Sequence, residues 1–276
     1  MKRTFATALV LAGALALSGP ASPAGGQEAA RIHLIHGIPD TPVDVEAGGS
    51  NVIEGFEFGD TEDLSAMAGQ TLTGVRVNAA GTDDVAIDVG DLALPEAGNV
   101  TAIAHLDPEG TPKLTVFTND TAAVAAGEGR LVVRHTAAAP AVDVRAGGEV
   151  VFPGLANPDE AQADLPAGTV AADVVPAGAT EPVVIGPADL PVTEGSSLIV
   201  YAVGSLEGGT LQTLTETVEG IGSGPSAVNT GNSPVADAGG DGGFPVGMAA
   251  AGAAAVAAAG SAAVLARRRA GATVRA

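Results

Sequence analysis

Cysteine and tryptophan are absent from this sequence, and tyrosine occurs once. Without cysteine the chain has no disulfide, no thiolate ligand for zinc or an iron–sulfur cluster, and no thiol nucleophile. Basic residues are also scarce, since 12 Lys and Arg stand against 32 Asp and Glu. The resulting formal charge of −20 excludes nucleic acid as a partner, because phosphate binding depends on Lys and Arg. Aromatic residues make up only 3%, so any core must consist of Val, Leu, Ile and Ala.

The charge is unevenly placed along the chain. All 32 acidic residues and six of the 12 basic residues lie within residues 28–241, which gives this stretch a net charge of −26. A solvated acidic surface is the simplest interpretation. Acidic turns at residues 83–84, 107–110 and 119–120 leave calcium open as a cofactor, because Ca²⁺ takes carboxylate and carbonyl oxygens. No other cofactor and no specific metal ligands are predicted.

The first 24 residues have the pattern of a secretory signal peptide. Lys2 and Arg3 precede an apolar run of 14 residues, 5–18, and small residues at Ser22 and Ala24 fit a cleavage site. The run is too short to span a bilayer. We therefore expect the chain to be exported.

The other end has the pattern of a membrane anchor. Residues 219–245 form a flexible linker rich in Gly, Ser and Pro. Residues 246–266 carry no charge, and as a helix they would be about 31 Å long, close to the ~30 Å hydrocarbon core. Three arginines open the basic tail 267–276 and place it in the cytoplasm. Sortase-anchored wall proteins share this order, but their L-P-x-T-G motif is missing, so membrane retention is preferred to wall linkage.

The middle of the chain is a tandem repeat. A shift of 99 residues aligns the segment 31–36 with 130–135 and Val43-Asp44-Val45 with Val142-Asp143-Val144. The predicted units are 30–120 and 129–218, each large enough for its own core.

Each unit contains short runs of Val, Ile, Leu and Thr separated by Gly, Pro, Asn and Asp, a pattern typical of strands and turns. The predicted fold class is all-β, with two tandem β-sandwiches of immunoglobulin-like or transthyretin-like form. The short link between the units predicts that they sit end to end with limited freedom. The predicted strands are 31–36, 43–47, 51–58, 70–79, 85–94, 99–106 and 113–119, then 130–135, 142–146, 149–152, 168–176, 182–190, 196–203 and 210–218.

The start of each unit resembles a named family. The stretch from His36 through Pro39-Asp40 to Val43-Asp44-Val45 is similar to the signature of the bacterial domain of unknown function 4397. Unit two keeps the His, the Pro and the V-D-V, and both copies are one residue shorter than the usual form. The resemblance covers residues 30–218 and implies exported, surface-located, all-β tandem domains with no established activity.

Four signature residues, His36, Asp44, His135 and Asp143, are the candidate site. Alternation along unit two puts Leu131, Val133 and His135 on one face of a strand and both Arg130 and Arg134 on the other, which is taken as solvent-facing. The histidines then lie on the core side at strand ends, near the aspartates. A structural pair that satisfies backbone groups of the turn is preferred to a ligand-binding role.

A metal site at His33-x-x-His36 is rejected, since residues i and i+3 of a strand point to opposite faces. No nucleophile or phosphate-loop motif appears, so the protein is predicted not to be an enzyme. The expected function is a membrane-anchored extracellular binding or structural module that meets a cell-wall polymer, an extracellular polymer or a protein. The alternatives are a surface hydrolase that uses acidic residues and a calcium-dependent adhesion module.

Overall fold

The structure is a computed structural model that describes residues 30–223 and the dipeptides 269–270 and 272–273. Regular structure in these residues is β apart from one 3-10 turn, Ser65–Met67. The predicted signal peptide, nearly all of the linker and the predicted span 246–266 lie outside the described residues. The described residues contain no helix that is long and apolar enough to cross a membrane.

Sixteen strands form the two units, and two short strands follow in the tail. Unit one comprises β1 Arg31–His36, β2 Val43–Ala47, β3 Ser50–Phe56, β4 Thr61–Asp63, β5 Thr71–Ala79, β6 Val85–Ala93, β7 Asn99–Leu106 and β8 Pro112–Thr118. Unit two comprises β9 Glu128–His135, β10 Val142–Ala146, β11 Glu149–Leu155, β12 Asp159–Pro166, β13 Gly168–Pro176, β14 Ile185–Val192, β15 Ser196–Val203 and β16 Gln212–Glu219. The tail strands are β17 Arg269–Ala270 and β18 Ala272–Thr273.

Each unit is built from two four-stranded sheets with the same strand order. Unit one has an outer sheet β3-β2-β5-β6 and an inner sheet β8-β7-β1-β4, and unit two repeats this as β11-β10-β13-β14 and β16-β15-β9-β12. The first strand of each unit runs parallel to its seventh strand, and the other pairs are antiparallel. The tail strand β17 pairs with β12, and β18 pairs with β8.

Each unit closes its own core between its outer and inner sheets. In unit one Leu34, Ala102 and Leu114 of the inner sheet pack on Val45 and Val77 of the outer sheet. The equivalent core of unit two joins Leu131, Val133 and Val200 to Val144 and Phe152. The described body is therefore two β-sandwiches, as the alternation of apolar residues predicts.

The units pack face to face, and the expected end-to-end arrangement is wrong. A third apolar cluster joins Ile35, Ile103 and Phe117 on the inner sheet of unit one to Ile199 and Tyr201 on the inner sheet of unit two. Both faces of each inner sheet are therefore covered. The four sheets form one stack whose centre is the contact between the units.

This packing also corrects the assignment of the arginine face of β9. Arg130 and Arg134 were expected to meet solvent, yet they are only 5% and 1% exposed. They lie with Val132 on the face that meets unit one. A strand face with two charges is hydrophilic by composition, but here Arg130 and Arg134 are paired with Asp164 and Glu160 of the neighbouring strand β12. Arg134 also donates to Asn119, which follows the last strand of unit one.

The positions of the predicted strands are confirmed, most of them to within two residues at each end. Two strands were missed, β4 and β12, which occupy the same place in the two units, beside the first strand. Their sequences, TED and DEAQADLP, are rich in acidic residues and lack an apolar run. Such composition is characteristic of strands at a sheet edge, which β-propensity does not detect.

Candidate binding site

The two signature histidines end the first strand of each unit and are fully buried. His36 is 0% exposed and His135 is 1% exposed. The Nε2 atom of His36 lies 2.6 Å from the carbonyl oxygen of Thr41, and that of His135 lies 3.1 Å from the carbonyl oxygen of Pro140. Because a carbonyl only accepts, Nε2 must carry the proton and donate. Each ring thereby fastens the loop that leads into the next strand.

The aspartates of the V-D-V motifs hold two backbone turns at once. The Asp44 carboxylate accepts hydrogen bonds from the amides of Gly55, at 2.7 Å, and Gly81, at 2.8 Å. Asp143 does the same for Gly154, at 2.6 Å, and Gly178, at 2.8 Å. The two bonds to Asp44 lower the pKa of its carboxyl, because they favour the ionised form.

The register explains why an aspartate and a glycine are needed here. The β2–β3 and β10–β11 ladders both shift register beside the aspartate, so the amide that faces it has lost its ladder partner. Gly55 and Gly154 stand at this point with φ of 62° and 58°, a left-handed conformation that favours glycine. The carboxylate replaces the missing backbone acceptor.

The histidine and aspartate of each unit bind different backbone groups rather than each other, so the expected His–Asp pair is not formed. The four signature residues are engaged by their own chain. A ligand-binding role for them stays a prediction that these contacts do not test.

Replacing Asp143 by Asn is expected to lower the free energy of unfolding by about 2 kcal/mol, since an amide can accept from only one of the two glycine amides. Urea unfolding followed by circular dichroism measures the change. Asp189→Asn, at an exposed position of β14, is the matched control and should stay close to wild type. Equal stability of the two variants would show that the carboxylate does not hold these turns.

Acid is expected to destabilise the protein already between pH 6.5 and 5. Burial lowers the pKa of His36, His105 and His135 from 6.5, because desolvation disfavours the charged ring. The unfolded chain therefore binds more protons in this range, so stability is complete above pH 6.5 and decreases as the pH falls towards the lowered values. The carboxyl groups whose pKa is lowered, Asp44 and Asp63, act below about pH 4 and do not interfere.

Urea midpoints at pH 7.5, 6.5, 5.5 and 5.0 test this expectation. A stability that stays constant down to pH 5 would contradict it. His105→Gln removes one of the three titrating rings and should therefore flatten part of the decrease of stability with pH. Glutamine is chosen because it keeps a polar group near Thr115, whose Oγ1 lies 2.7 Å from His105 Nε2.

Unit one contains an apolar cavity of about 220 Å³ between its two sheets. Val52, which is 51% exposed, and Glu62 lie where the cavity reaches solvent. The short strand β4 and the 3-10 turn after it border one side. Apolar side chains form most of the wall, among them Leu34, Val45, Ala47, Ile53, Leu64, Met67, Leu72, Val75, Leu92, Leu94, Val100, Ala102 and Val116.

The repeat shows why unit two is filled at the same place. Ile53 faces Val45 in unit one, and the larger Phe152, 2% exposed, faces Val144 in unit two. In unit one Ala102 of β7 pairs with Leu34, whereas in unit two the larger Val200 of β15 pairs with Val133.

The edge strand differs as well. Strand β4 pairs with β1 at three positions, whereas β12 pairs with β9 at seven and covers the whole edge. The opening in unit one thus coincides with smaller side chains at Ile53 and Ala102 and with a shorter edge strand on the same framework.

Charged side chains in the contact between the units are paired with one another. The Arg134 guanidinium donates to Glu160, at 2.9 Å, to the Tyr201 hydroxyl, at 2.6 Å, and to Asn119 Oδ1, at 2.7 Å. Glu216 accepts from Tyr201 at 2.8 Å and lies 2.7 Å from His33 Nδ1. The contacts to Asn119 and His33 join the units, whereas the others lie within unit two. Sequence patterns did not predict the Arg134–Glu160 pair because Glu160 lies on an unpredicted strand.

The acidic turns serve their own backbone. Asp107 accepts from the amides of Glu109 and Thr111 and contacts Lys113 at 3.4 Å. Across residues 30–223 and the tail dipeptides, no three His, Asp or Glu side chains are grouped so that they could hold a metal ion. His33 and His36 point to opposite faces, to Glu216 and to Thr41, as the strand geometry requires.

These features define an all-β protein with two repeated sandwiches, an apolar cavity in the first, and a contact between them that combines an apolar cluster with hydrogen-bonded polar side chains. Residues 30–145 match the family described as a domain of unknown function, DUF4397. The match covers unit one and ends in β10, and a second similar β region over residues 145–219 is consistent with a tandem. The curated proteins contain no match to the chain.

Proposed function

We propose that this protein is an exported, membrane-held binding module of a bacterial cell surface and that unit one binds a small apolar ligand. The open cavity of unit one is the observation that carries the proposal, because unit two shows that the same framework can be filled. A cavity left open lowers stability, and a ligand that fills it would recover the lost packing. At about 220 Å³ it is larger than the ~150 Å³ apolar cavity that takes benzene in an engineered protein.

A binding role is favoured over catalysis by the state of the carboxylates. A hydrolase needs two carboxylates that converge on one substrate. Of the acidic residues at the cavity, Glu62 and Asp63 are neighbours on one strand, so their side chains point to opposite faces. The Asp63 carboxylate also accepts the Ser65 amide at 2.8 Å, and hydrogen bonds from Ser65 lower its pKa.

The proposed placement follows the sequence. Residues 1–24 direct export, and the sandwiches of immunoglobulin-like or transthyretin-like form stand outside the cell. The linker lifts them from the membrane through residues 224–245, because Glu219 ends β16 and Ile221 is buried in the body. Residues 246–266 span the bilayer, and the basic tail 267–276 lies in the cytoplasm. The proposed partner of the outer surface is a cell-wall polymer, an extracellular polymer or a protein.

Benzene is the probe that tests the cavity. The body, residues 25–245, holds all sixteen strands of the two units and the three cores, and its cooperative unfolding is checked first. A ligand of the folded state raises stability by RT ln(1 + [L]/Kd), about 2.7 kcal/mol at a hundredfold excess over Kd. We expect benzene to raise the melting temperature of the wild-type body.

Two substitutions at one position supply the controls. Ile53→Phe introduces the residue that unit two carries at this place, so it should fill the cavity and abolish the benzene shift. Ile53→Leu conserves volume and should keep the shift. An absent shift in wild type, or an equal shift in Ile53→Phe, would refute binding in this cavity.

A further inference from the structure

The position of Glu62 gives the cavity of unit one an electrostatic preference. Glu62 is paired with Leu34 across β1 and β4, and cross-strand partners present their side chains on the same face. Leu34 lines the cavity, and so does Glu62, which is exposed at its mouth. In the described residues no hydrogen bond or ion pair to its carboxylate is formed. The carboxylate is therefore free to meet a ligand.

Glu62 differs in chemical type from the equivalent residue of unit two. Ala161 occupies the equivalent place in unit two, opposite Val133, and is 3% exposed within the core. Unit one thus has a charge at a position where unit two has a buried methyl group. A charge at the edge of an apolar wall costs solvation unless water or a counter-charge meets it.

The surroundings reinforce the negative sign. Glu62 and Asp63 are the charged residues among those that line the cavity. Residues 28–241 as a whole carry a net charge of −26. An anionic head group, such as a carboxylate or a phosphate, would be repelled at this mouth, and an ammonium group would be attracted.

Resting on the proposed binding function, we propose that the cavity takes the unbranched alkyl chain of a primary alkylammonium compound, whose head group pairs with Glu62. The wall is apolar and nearly free of polar groups, which suits a hydrocarbon chain and excludes a sugar or a peptide. A cavity of ~150 Å³ takes the six carbons of benzene, so a cavity of about 220 Å³ takes roughly eight carbons. An eight-carbon chain fills it and leaves the ammonium group at the mouth.

Isothermal titration of the body with octylammonium chloride, 1-octanol and sodium octanoate, all below micelle-forming concentrations, tests the proposal. We expect octylammonium to bind about two- to fivefold more tightly than octanol at low salt, the range for an ion pair with an exposed carboxylate, and octanoate to bind most weakly. Shorter amines should lose about fourfold in affinity for each methylene removed. High salt should narrow the difference between the amine and the alcohol.

Glu62→Gln identifies the group responsible. This variant should bind octylammonium and octanol equally while keeping the wild-type affinity for octanol. Glu109→Gln, which removes a charge from an exposed turn, is the control and should keep the preference for the amine. An unchanged amine preference in Glu62→Gln would overturn the assigned partner.

The outcomes separate this inference from the binding function on which it rests. Equal or tighter binding of octanoate would overturn the head-group preference, while the cavity function would stand. If benzene binds but none of the three octyl compounds does, the choice of an alkyl chain as ligand would be overturned, while the cavity function would stand. Failure of benzene and of all three compounds would refute both.

Discussion

Replacing Arg134 by Met is expected to lower the free energy of unfolding by about 3–5 kcal/mol, the cost of removing one partner from a buried ion pair. The guanidinium is 1% exposed and bonds three side chains, Glu160, Tyr201 and Asn119. It also lies 4.3 Å from the centre of the Phe117 ring, so a cation–π contact is lost with it. The variant would leave Glu160 buried without its counter-charge.

Another arginine pair of unit two gives a matched control. Arg145 contacts Asp173 on the outer sheet at similar geometry, but nearer to solvent. Arg145→Met should therefore cost much less than Arg134→Met. The double variant Arg134→Met with Glu160→Met should recover part of the loss, because it removes both buried charges. Urea unfolding measures all three variants, and a cost below about 1 kcal/mol for Arg134→Met would show that the network contributes little.

Deletion of residues 246–276 is expected to move the protein from the cell fraction to the medium. The uncharged stretch 246–266 is the proposed anchor, and a signal peptide alone leads to release. Immunoblots of cells and medium measure the distribution. The control inserts two arginines into the middle of the stretch, which should also release the protein because charges at a bilayer centre are costly. Retention of the deletion variant on cells would contradict the anchor.

A label at the end of the chain decides where the tail lies. The structure pairs Arg269–Ala270 with β12 and Ala272–Thr273 with β8, on the body of the protein. A single-pass anchor would instead put the tail across the membrane from the body, so the two placements exclude each other. Because the chain has no cysteine, Ala276→Cys carries a unique thiol. Labelling by a membrane-impermeant maleimide on intact cells would refute the cytoplasmic tail, and labelling only after lysis would support it.

Local patterning was enough to place most strands of both units. Short apolar runs bounded by turn residues located fourteen of the sixteen body strands, and the repeat of V-D-V gave the two units. The strands β4 and β12 were not predicted, because acidic residues have low β-propensity. Backbone pairing with the neighbouring strand holds both in the sheet.

Long-range packing was beyond the reach of the same patterns. Alternation shows that Arg130, Val132 and Arg134 share a face, but it does not show whether that face meets water or another sheet. The partners that make burial of Arg134 acceptable, Glu160 and Asn119, lie 26 residues downstream and 15 residues upstream. The cavity could not be predicted from the sequence either, because it depends on which residues pair across neighbouring strands, such as Leu34 and Glu62.

The single tyrosine of the chain has an optical consequence. Tyr201 is fully buried where the two inner sheets meet, between Arg134 and Glu216, and there is no tryptophan to mask its signal. The near-ultraviolet absorption and emission of the whole protein therefore originate largely from the seam between its two halves. Separation of the halves and loosening of the individual sandwiches are thus spectroscopically distinct events, and the first can be followed without attaching a dye.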